Sequence, residues 1–89
     1  NVKKNMEKAI MYFEMAADAD HIDALYNLGY LYENGIGVEV DAKAAIYYYE
    51  TAADFDDISA IQALIRIYSE GKIVERNDLI AHHWKRRLV

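Results

Sequence analysis

An internal repeat with a period of 36 residues is the feature that most constrains how this chain folds. Shifting the sequence by that period aligns the segment from Ala9 to Glu39 with the segment from Ala45 to Glu75, without a gap. The identical positions in the first segment are Ala9, Ile10, Tyr12, Glu14, Ala16, Ala17, Asp18, Asp20, Ile22, Ala24, Leu28, Tyr32, Gly35, Val38 and Glu39. A fixed period of about 20 to 50 residues is typical of solenoids, whose stacked units share one continuous core. The chain is therefore predicted to be a stack of similar units.

Within the repeat, apolar residues recur at the three- and four-residue spacing of amphipathic helices. About five antiparallel helices are predicted, so the fold class is all-α: residues 5–18, 22–34, 41–54, 58–70 and 77–88. Asn5, Asp41 and Asn77 are predicted N-caps, and Gly35 and Gly71 are predicted to end helices in the left-handed conformation. The side chains predicted to face the core include Tyr12, Phe13, Leu28, Leu31, Tyr32, Ala45, Tyr48, Tyr49, Ala52, Leu64, Ile67 and Tyr68.

The composition argues against several classes of protein. A net charge of −5, without a basic stripe, argues against nucleic-acid binding. Without cysteine there is neither a disulfide framework nor a thiolate zinc site. Without an apolar run of about 18 residues, no membrane insertion is expected. No targeting signal is visible, and a chain that begins at Asn1 is expected to be a piece of a longer protein. The sequence does not identify the cellular compartment, although the cytoplasm is slightly favoured.

One stretch of the repeat resembles a known family. It combines a Gly-x-Gly-Val loop, an acidic cap and a terminal Ala-Ala pair, at Ala24, Leu28, Gly29, Leu31, Tyr32, Gly35, Gly37, Val38, Asp41, Ala45, Tyr48, Tyr49, Ala52 and Ala53. This pattern resembles the Sel-1-like repeat, a relative of the tetratricopeptide repeat. The resemblance implies a right-handed α-α superhelix in a single domain over residues 1–89. It divides that domain into a half-repeat (5–23), a full repeat (24–59) and a degenerate C-terminal repeat or cap (60–89).

The last unit departs from the family pattern. Ile65 stands where the full repeat has Gly29, and Ile73 stands where it has Gly37. Trp84, by contrast, lies where proteins of this family often have tryptophan. Loss of the pattern at one end of an array is typical of a capping unit, whose outer face meets solvent.

The helix over residues 22–34 has a second face, opposite the predicted core, that carries polar and aromatic residues. In proteins that this chain resembles, the corresponding faces line a groove that binds partners. Carried over by position, the groove contains Tyr26, Asn27, Tyr30 and Glu33 from one unit and Gln62, Arg66 and Ser69 from the next. Exposed tyrosines suit such contacts because each offers a rigid ring and a hydroxyl group. The alternative is that Tyr26 and Tyr30 pack against a neighbouring helix. Replacing Tyr30 by alanine distinguishes the two, because it either weakens binding or unfolds the chain.

No catalytic, metal or cofactor site is expected. The sequence has no phosphate loop, nucleophile elbow or zinc-protease motif. Aspartates cluster within residues 18–23 and 54–57, but without the glycine and distal glutamate of a calcium loop, so capping of the following helices is favoured. His82 and His83 point about 100° apart on a helix and do not chelate one metal. Asn27 resembles the asparagine with which tetratricopeptide domains hold a terminal carboxylate, but Arg66 is the one basic groove candidate.

These observations predict a non-enzymatic scaffold or adaptor that binds a protein or a peptide in the groove. Its helices hold the contact side chains at fixed spacing, which limits the entropy lost on binding. The alternative is a purely structural or self-associating repeat segment of a larger protein, in which Phe55 or Trp84 contributes to self-association. Families resembling this one serve in bacterial signalling, in host contact and in the quality control of membrane-associated protein degradation.

Overall fold

The computed structural model describes residues 2–89, and the side chains of residues 4–89. This part of the chain is all-helical and contains no strands. The five helices are α1 (Val2–Asp18), α2 (Ile22–Asn34), α3 (Ala42–Asp54), α4 (Ile58–Glu70) and α5 (Asp78–Arg87). Each helix packs on the next one along the chain, which gives an elongated body of 42 × 26 × 15 Å. The predicted all-α helical-repeat fold is confirmed.

The helix ends follow the local sequence. Gly35 and Gly71 close α2 and α4 with φ of 66° and 68°, a left-handed conformation that only glycine adopts without strain. The side chains of Asp41, Asp57 and Asn77 accept hydrogen bonds from the first-turn N–H groups of α3, α4 and α5, at 3.1, 2.9 and 3.1 Å. Each bond satisfies a donor that the helix itself leaves unpaired. The predicted stops and the caps at Asp41 and Asn77 are confirmed.

Two predictions for the first helix are wrong. Asn5 is not an N-cap, because α1 already begins at Val2. Tyr12 does not face the core but is 70% exposed, whereas Ile10 and Ala17 are buried. The cause is that α1 packs against α2 and has no described helix on the side where Tyr12 lies.

Helices α2 and α3 pack around Tyr49. The Tyr49 side chain is fully buried, and its ring lies so close to Gly29 that a Cβ atom there would come within 2.7 Å of two ring carbons. Gly29 is therefore needed for space rather than for backbone freedom. In the C-terminal unit the equivalent positions are Ile65 and Lys85, so an aliphatic side chain replaces the glycine where no buried aromatic ring opposes it.

A stacked tyrosine pair within the full repeat also contacts the unit before it. The rings of Tyr32 and Tyr48 stack with centroids 5.9 Å apart, and the Tyr32 hydroxyl donates a hydrogen bond of 3.3 Å to Glu14 on α1. Burial, followed by the charge of Glu14, raises the pKa of Tyr32, so this hydroxyl stays protonated and remains a donor. The contact joins α1, α2 and α3 at one point.

The last helix is held by Trp84 and Arg87. Trp84 is buried, and the Arg87 guanidinium lies 5.6 Å from its ring centroid. The same guanidinium donates hydrogen bonds to the Ala53 carbonyl at 3.1 Å and to Asp56 at 2.9 Å. The Ala53 carbonyl also accepts the Asp56 N–H at 2.8 Å, so Arg87 adds a second hydrogen bond there and fastens α5 to the α3–α4 turn.

Candidate interaction groove

Side chains of α2 and α4 line a groove made of three adjoining depressions, with volumes of about 380, 280 and 200 Å³. Arg66 borders the first and second depressions, and Tyr26 borders the second and third, so neighbouring depressions share a lining side chain. Polar side chains dominate the lining, from Asp23 at one end to Lys72 at the other. The groove is therefore an open, polar surface rather than an enclosed apolar cavity.

The predicted contact residues divide into three groups in the structure. Those that line the groove with an exposed or half-buried side chain are Tyr26, Asn27, Gln62 and Arg66. Tyr30 and Ser69 lie outside these three depressions; Tyr30 is 47% exposed and Ser69 is half-buried. Glu33 lines the groove but is buried. Tyr26 packs its ring 5.5 Å from that of Tyr49 and also lines the groove, whereas Tyr30 is 47% exposed.

Glu33 connects three helices rather than facing a partner. Its Oε1 accepts hydrogen bonds from the Tyr49 hydroxyl on α3, at 2.9 Å, and from Arg66 Nη2 on α4, at 2.8 Å. Its Oε2 accepts a second hydrogen bond from Arg66, so the guanidinium and the carboxylate form a bidentate pair. The prediction that Glu33 is an available contact side chain is corrected, because these bonds occupy the carboxylate and bury it.

The protonation states of this cluster follow from its contacts. Burial by itself raises the pKa of Glu33, but hydrogen bonds from Arg66 and Tyr49 outweigh it and hold that pKa below its ordinary value. Burial and the bond to Glu33 raise the pKa of Tyr49. The bond to Glu33 likewise raises the pKa of Arg66. At neutral pH the cluster therefore contains an ionised carboxylate, a charged guanidinium and a neutral phenol.

Sequence reasoning missed the role of the Tyr49 hydroxyl in this cluster. Helical periodicity places Tyr49 in the core but gives no partner for its oxygen. The repeat itself contains a signal, because Glu33 and Tyr49 correspond to Ser69 and Lys85 one period later. Both members of the hydrogen-bonded pair change together, as expected for side chains that depend on each other.

The acidic turns have structural partners. Asp57 caps α4, and Asp56 is paired with Arg87. Among the residues that the structure describes, no three His, Cys, Asp or Glu side chains are grouped closely enough to hold a metal ion. His83 lies edge-on to the Trp84 ring, with centroids 5.1 Å apart. Asp57 fits the favoured interpretation of the aspartates as capping residues. The first cluster does not, because the N-cap residue of α2 is His21, without a side-chain cap hydrogen bond, and Asp23 lies in the first turn of that helix.

A helix long and apolar enough to cross a membrane is not found within residues 2–89. Stacked helices with a polar and aromatic groove on one side define the class of helical-repeat proteins that contact other proteins. The chain matches the Sel1 repeat over residues 1–21, 22–54 and 63–87, and it belongs to the Sel1 repeat family.

Two curated relatives share part of the repeat. The chain is 47% identical over 38 residues to the ERAD-associated E3 ubiquitin-protein ligase component HRD3 of Candida glabrata, a match that covers 43% of this chain and 5% of the relative. It is 49% identical over 41 residues to the component HRD3B of Arabidopsis thaliana, covering 46% of this chain and 7% of that protein. The matches therefore span only a small part of either relative, and the likeness is one of repeat units.

Proposed function

We propose that this chain is a non-enzymatic adaptor segment that binds an extended peptide or protein segment in the groove between α2 and α4. The observation that carries the proposal is the row of three adjoining depressions, in which Arg66 and Tyr26 each border two. Such a row suits an extended chain better than a compact ligand. The proposed contact residues that line the groove are Tyr26, Asn27 and Gln62, with the pair of Glu33 and Arg66 as a fixed floor. Tyr30 and Ser69, on the same two helices but outside the depressions, are proposed as flanking contacts.

The bidentate pair limits what the groove binds. Arg66 is bound to Glu33 and lies 3.7 Å from Glu70, so its charge is already compensated. A peptide whose terminal carboxylate sat beside Asn27 would need a cation there, and Arg66 is engaged elsewhere. The favoured ligand is therefore an internal segment with polar and aromatic side chains, recognised by rigid tyrosine rings and amide groups.

The relatives support an interaction role over a catalytic one. Both are named as components of an ERAD-associated E3 ubiquitin-protein ligase. The part that this chain shares with them is 38 to 41 residues long, about one repeat period, so the likeness supports a role for the repeat itself. We place this segment, in its parent protein, among the surfaces that hold partners together.

The test is a peptide selection followed by titration. Peptides are selected from a random displayed library against the unmodified chain, and the tightest one is titrated against three variants. We expect Tyr30→Ala and Gln62→Ala to raise Kd roughly tenfold each, the factor that corresponds to about 1.4 kcal/mol. Tyr47→Ala is the matched control, because Tyr47 is 62% exposed on α3, away from the groove.

An equal increase in Kd for all three variants would contradict the proposal. So would selected peptides whose Kd is unchanged by both Tyr30→Ala and Gln62→Ala. Helical circular dichroism accompanies each titration. Because Tyr30 is exposed and alanine favours helix, Tyr30→Ala is expected to keep the helix signal intact. If Tyr30→Ala unfolds instead, Tyr30 is a core packing residue and not a contact residue.

Self-association is the second candidate, and it is motivated by apolar side chains exposed outside the groove. Phe55 is 47% exposed and Met15 is 66% exposed. Sedimentation of the unmodified chain and of Phe55→Ser tests this candidate. A concentration-dependent dimer that Phe55→Ser abolishes supports it, and a monomer at all concentrations refutes it. Trp84 does not serve this test because it is buried.

A further inference from the structure

A further pocket lies where α3, α4 and α5 meet, on the other side of α4 from the groove. Its volume is about 410 Å³, and the residues that line it are Glu50, Tyr68, Leu79, Ile80, His83 and Trp84. These six residues are called here the aromatic pocket. Tyr68 follows Arg66 by two residues, which is about 200° around the helix, so the aromatic pocket and the groove face different directions.

The carboxylate of the aromatic pocket has no partner. In the preceding unit the equivalent of Glu50 is Glu14, which accepts a hydrogen bond of 3.3 Å from Tyr32, the equivalent of Tyr68. In the part of the chain with described side chains, Glu50 makes no side-chain hydrogen bond and no ion pair. Partial burial, followed by the charge of Asp54, raises the pKa of Glu50. That direction is the one expected of a carboxylate that no cation stabilises.

The aromatic pocket lies on a side of α5 that packing between neighbouring helices leaves open. Its α5 residues correspond in the repeat to Lys43, Ala44, Tyr47 and Tyr48 of α3. Although α4 packs on α3, Lys43 is exposed and Tyr47 is 62% exposed. A helix packed on α5 as α4 packs on α3 would therefore leave the aromatic pocket accessible.

We infer that the aromatic pocket binds an arginine side chain of a partner protein. A guanidinium group is planar and weakly hydrated, stacks on aromatic rings and pairs with a single carboxylate through two hydrogen bonds. Glu50 supplies the carboxylate, and Tyr68 supplies a half-buried ring. Leu79 is 84% exposed and offers an apolar surface to the methylene groups of the arginine. A lysine suits the site less well, because its ammonium group is a compact and strongly hydrated charge.

The chain already holds one of its own arginines by a similar combination. Arg87 pairs with Asp56 at 2.9 Å while its guanidinium lies 5.6 Å from the ring centroid of Trp84. Arg87 does not line the aromatic pocket, and its charge is compensated by Asp56. The charge of Glu50 is therefore available to a cation from outside the chain.

Titration of blocked amino acids into the isotope-labelled chain tests the inference. The probe is Nα-acetyl-arginine amide, whose only charge is the guanidinium group. The matched control is Nα-acetyl-citrulline amide, which has nearly the same shape and no charge. Trp84 fluorescence and amide chemical shifts both follow binding, because the single tryptophan lines the pocket. We expect a Kd on the order of 1 mM for the arginine probe and a roughly tenfold higher Kd for the citrulline control.

Two variants locate the bound probe. Glu50→Gln is expected to raise the Kd of the arginine probe roughly tenfold and to leave that of the citrulline control unchanged. Glu39→Gln is the matched variant, because Glu39 is exposed in the loop after α2 and its loss changes the net charge equally. Tyr68→Leu is expected to remove the preference for arginine over Nα-acetyl-lysine amide. Because Glu50 is exposed, Glu50→Gln keeps the inference testable even if Tyr68→Leu unfolds the chain.

Equal Kd values for the arginine probe and the citrulline control would overturn the inference. So would an unchanged Kd in Glu50→Gln, or chemical-shift changes confined to α2 and the groove side of α4. Tighter binding of the trimethyl-lysine derivative would make the ligand a quaternary ammonium group, and tighter binding of free arginine would make it a free amino acid. Either result overturns the assignment of the pocket to an arginine side chain of a partner.

Discussion

Removing the hydrogen bond between Tyr49 and Glu33 tests how far the structure explains stability. The bond of 2.9 Å joins a fully buried ring to a buried carboxylate. Glu33→Met keeps much of the side-chain volume but leaves the phenol oxygen buried without its acceptor, which destabilises by about 1–3 kcal/mol. Tyr49→Phe keeps the ring and leaves both hydrogen bonds between Glu33 and Arg66 in place. It loses one hydrogen bond to a charged group, which lowers the free energy of unfolding by about 1.5–3 kcal/mol.

The double variant is expected to be less damaging than the sum of the two single variants. With both polar groups gone, neither is left buried without a partner, and Arg66, whose side chain is 43% exposed, turns to water. The expected coupling free energy is about 1–2 kcal/mol. Additivity to within about 0.5 kcal/mol would refute the reasoning, because that is the behaviour of residues that do not interact.

Urea unfolding followed by helical circular dichroism measures the cycle. The variants need equal m-values for their free energies of unfolding to be compared. For a domain of this size, each kcal/mol lowers Tm by about 4–8 °C, so thermal melts provide a second reading. Tyr47→Phe is the matched control: Tyr47 is 62% exposed, and loss of its hydroxyl is expected to change stability by less than about 0.5 kcal/mol.

Two further predictions concern pH and backbone conformation. The pKa of Glu33 is lower in the folded chain than its ordinary value of 4.5. The ionised carboxylate therefore contributes its full stabilisation above pH 4.5, and this stabilisation is lost as pH falls through the pKa of the folded chain. Below about pH 5, the stability of the unmodified chain should therefore fall more steeply than that of Glu33→Gln in pH-dependent urea titrations; parallel curves would contradict this. Asp20 has a φ of 61°, so Asp20→Gly should stabilise by about 0.5–1 kcal/mol, and Glu7→Gly, at an exposed position in the interior of α1, should destabilise by a similar amount. A lower Tm for Asp20→Gly would exclude strain at that turn.

Local sequence signals were sufficient to predict most of the fold. Glycine at residues 35 and 71 and the capping side chains of Asp41 and Asn77 act within one turn of the helix that they end or begin. The period of the repeat then gives the stacking order. Tyr12 shows the limit of this reasoning, because periodicity identifies an apolar face but does not say whether another helix covers it.

The candidate groove was predictable in position but not in chemistry. Helical spacing and the repeat group these residues on one face of α2 and α4, and the family resemblance implies that this face lines a groove. The role of Glu33 depends on Tyr49 and Arg66, which lie 16 and 33 residues away along the chain. Whether a carboxylate faces a ligand or is bound within the protein is decided by such distant donors. Comparing Glu33 with Ser69 across the repeat is the sequence observation that comes closest to showing this dependence.

The buried tryptophan gives the molecule a built-in optical reporter. Trp84 is the single tryptophan of the chain, and it lies on the final helix, in contact with the Arg87 guanidinium. Its fluorescence therefore reports on the attachment of α5, whereas circular dichroism averages over all the helices. If the terminal helix detaches before the stack unfolds, the emission will shift to longer wavelengths at lower urea than the dichroism transition. Coincident transitions would instead mark the stack as one cooperative unit.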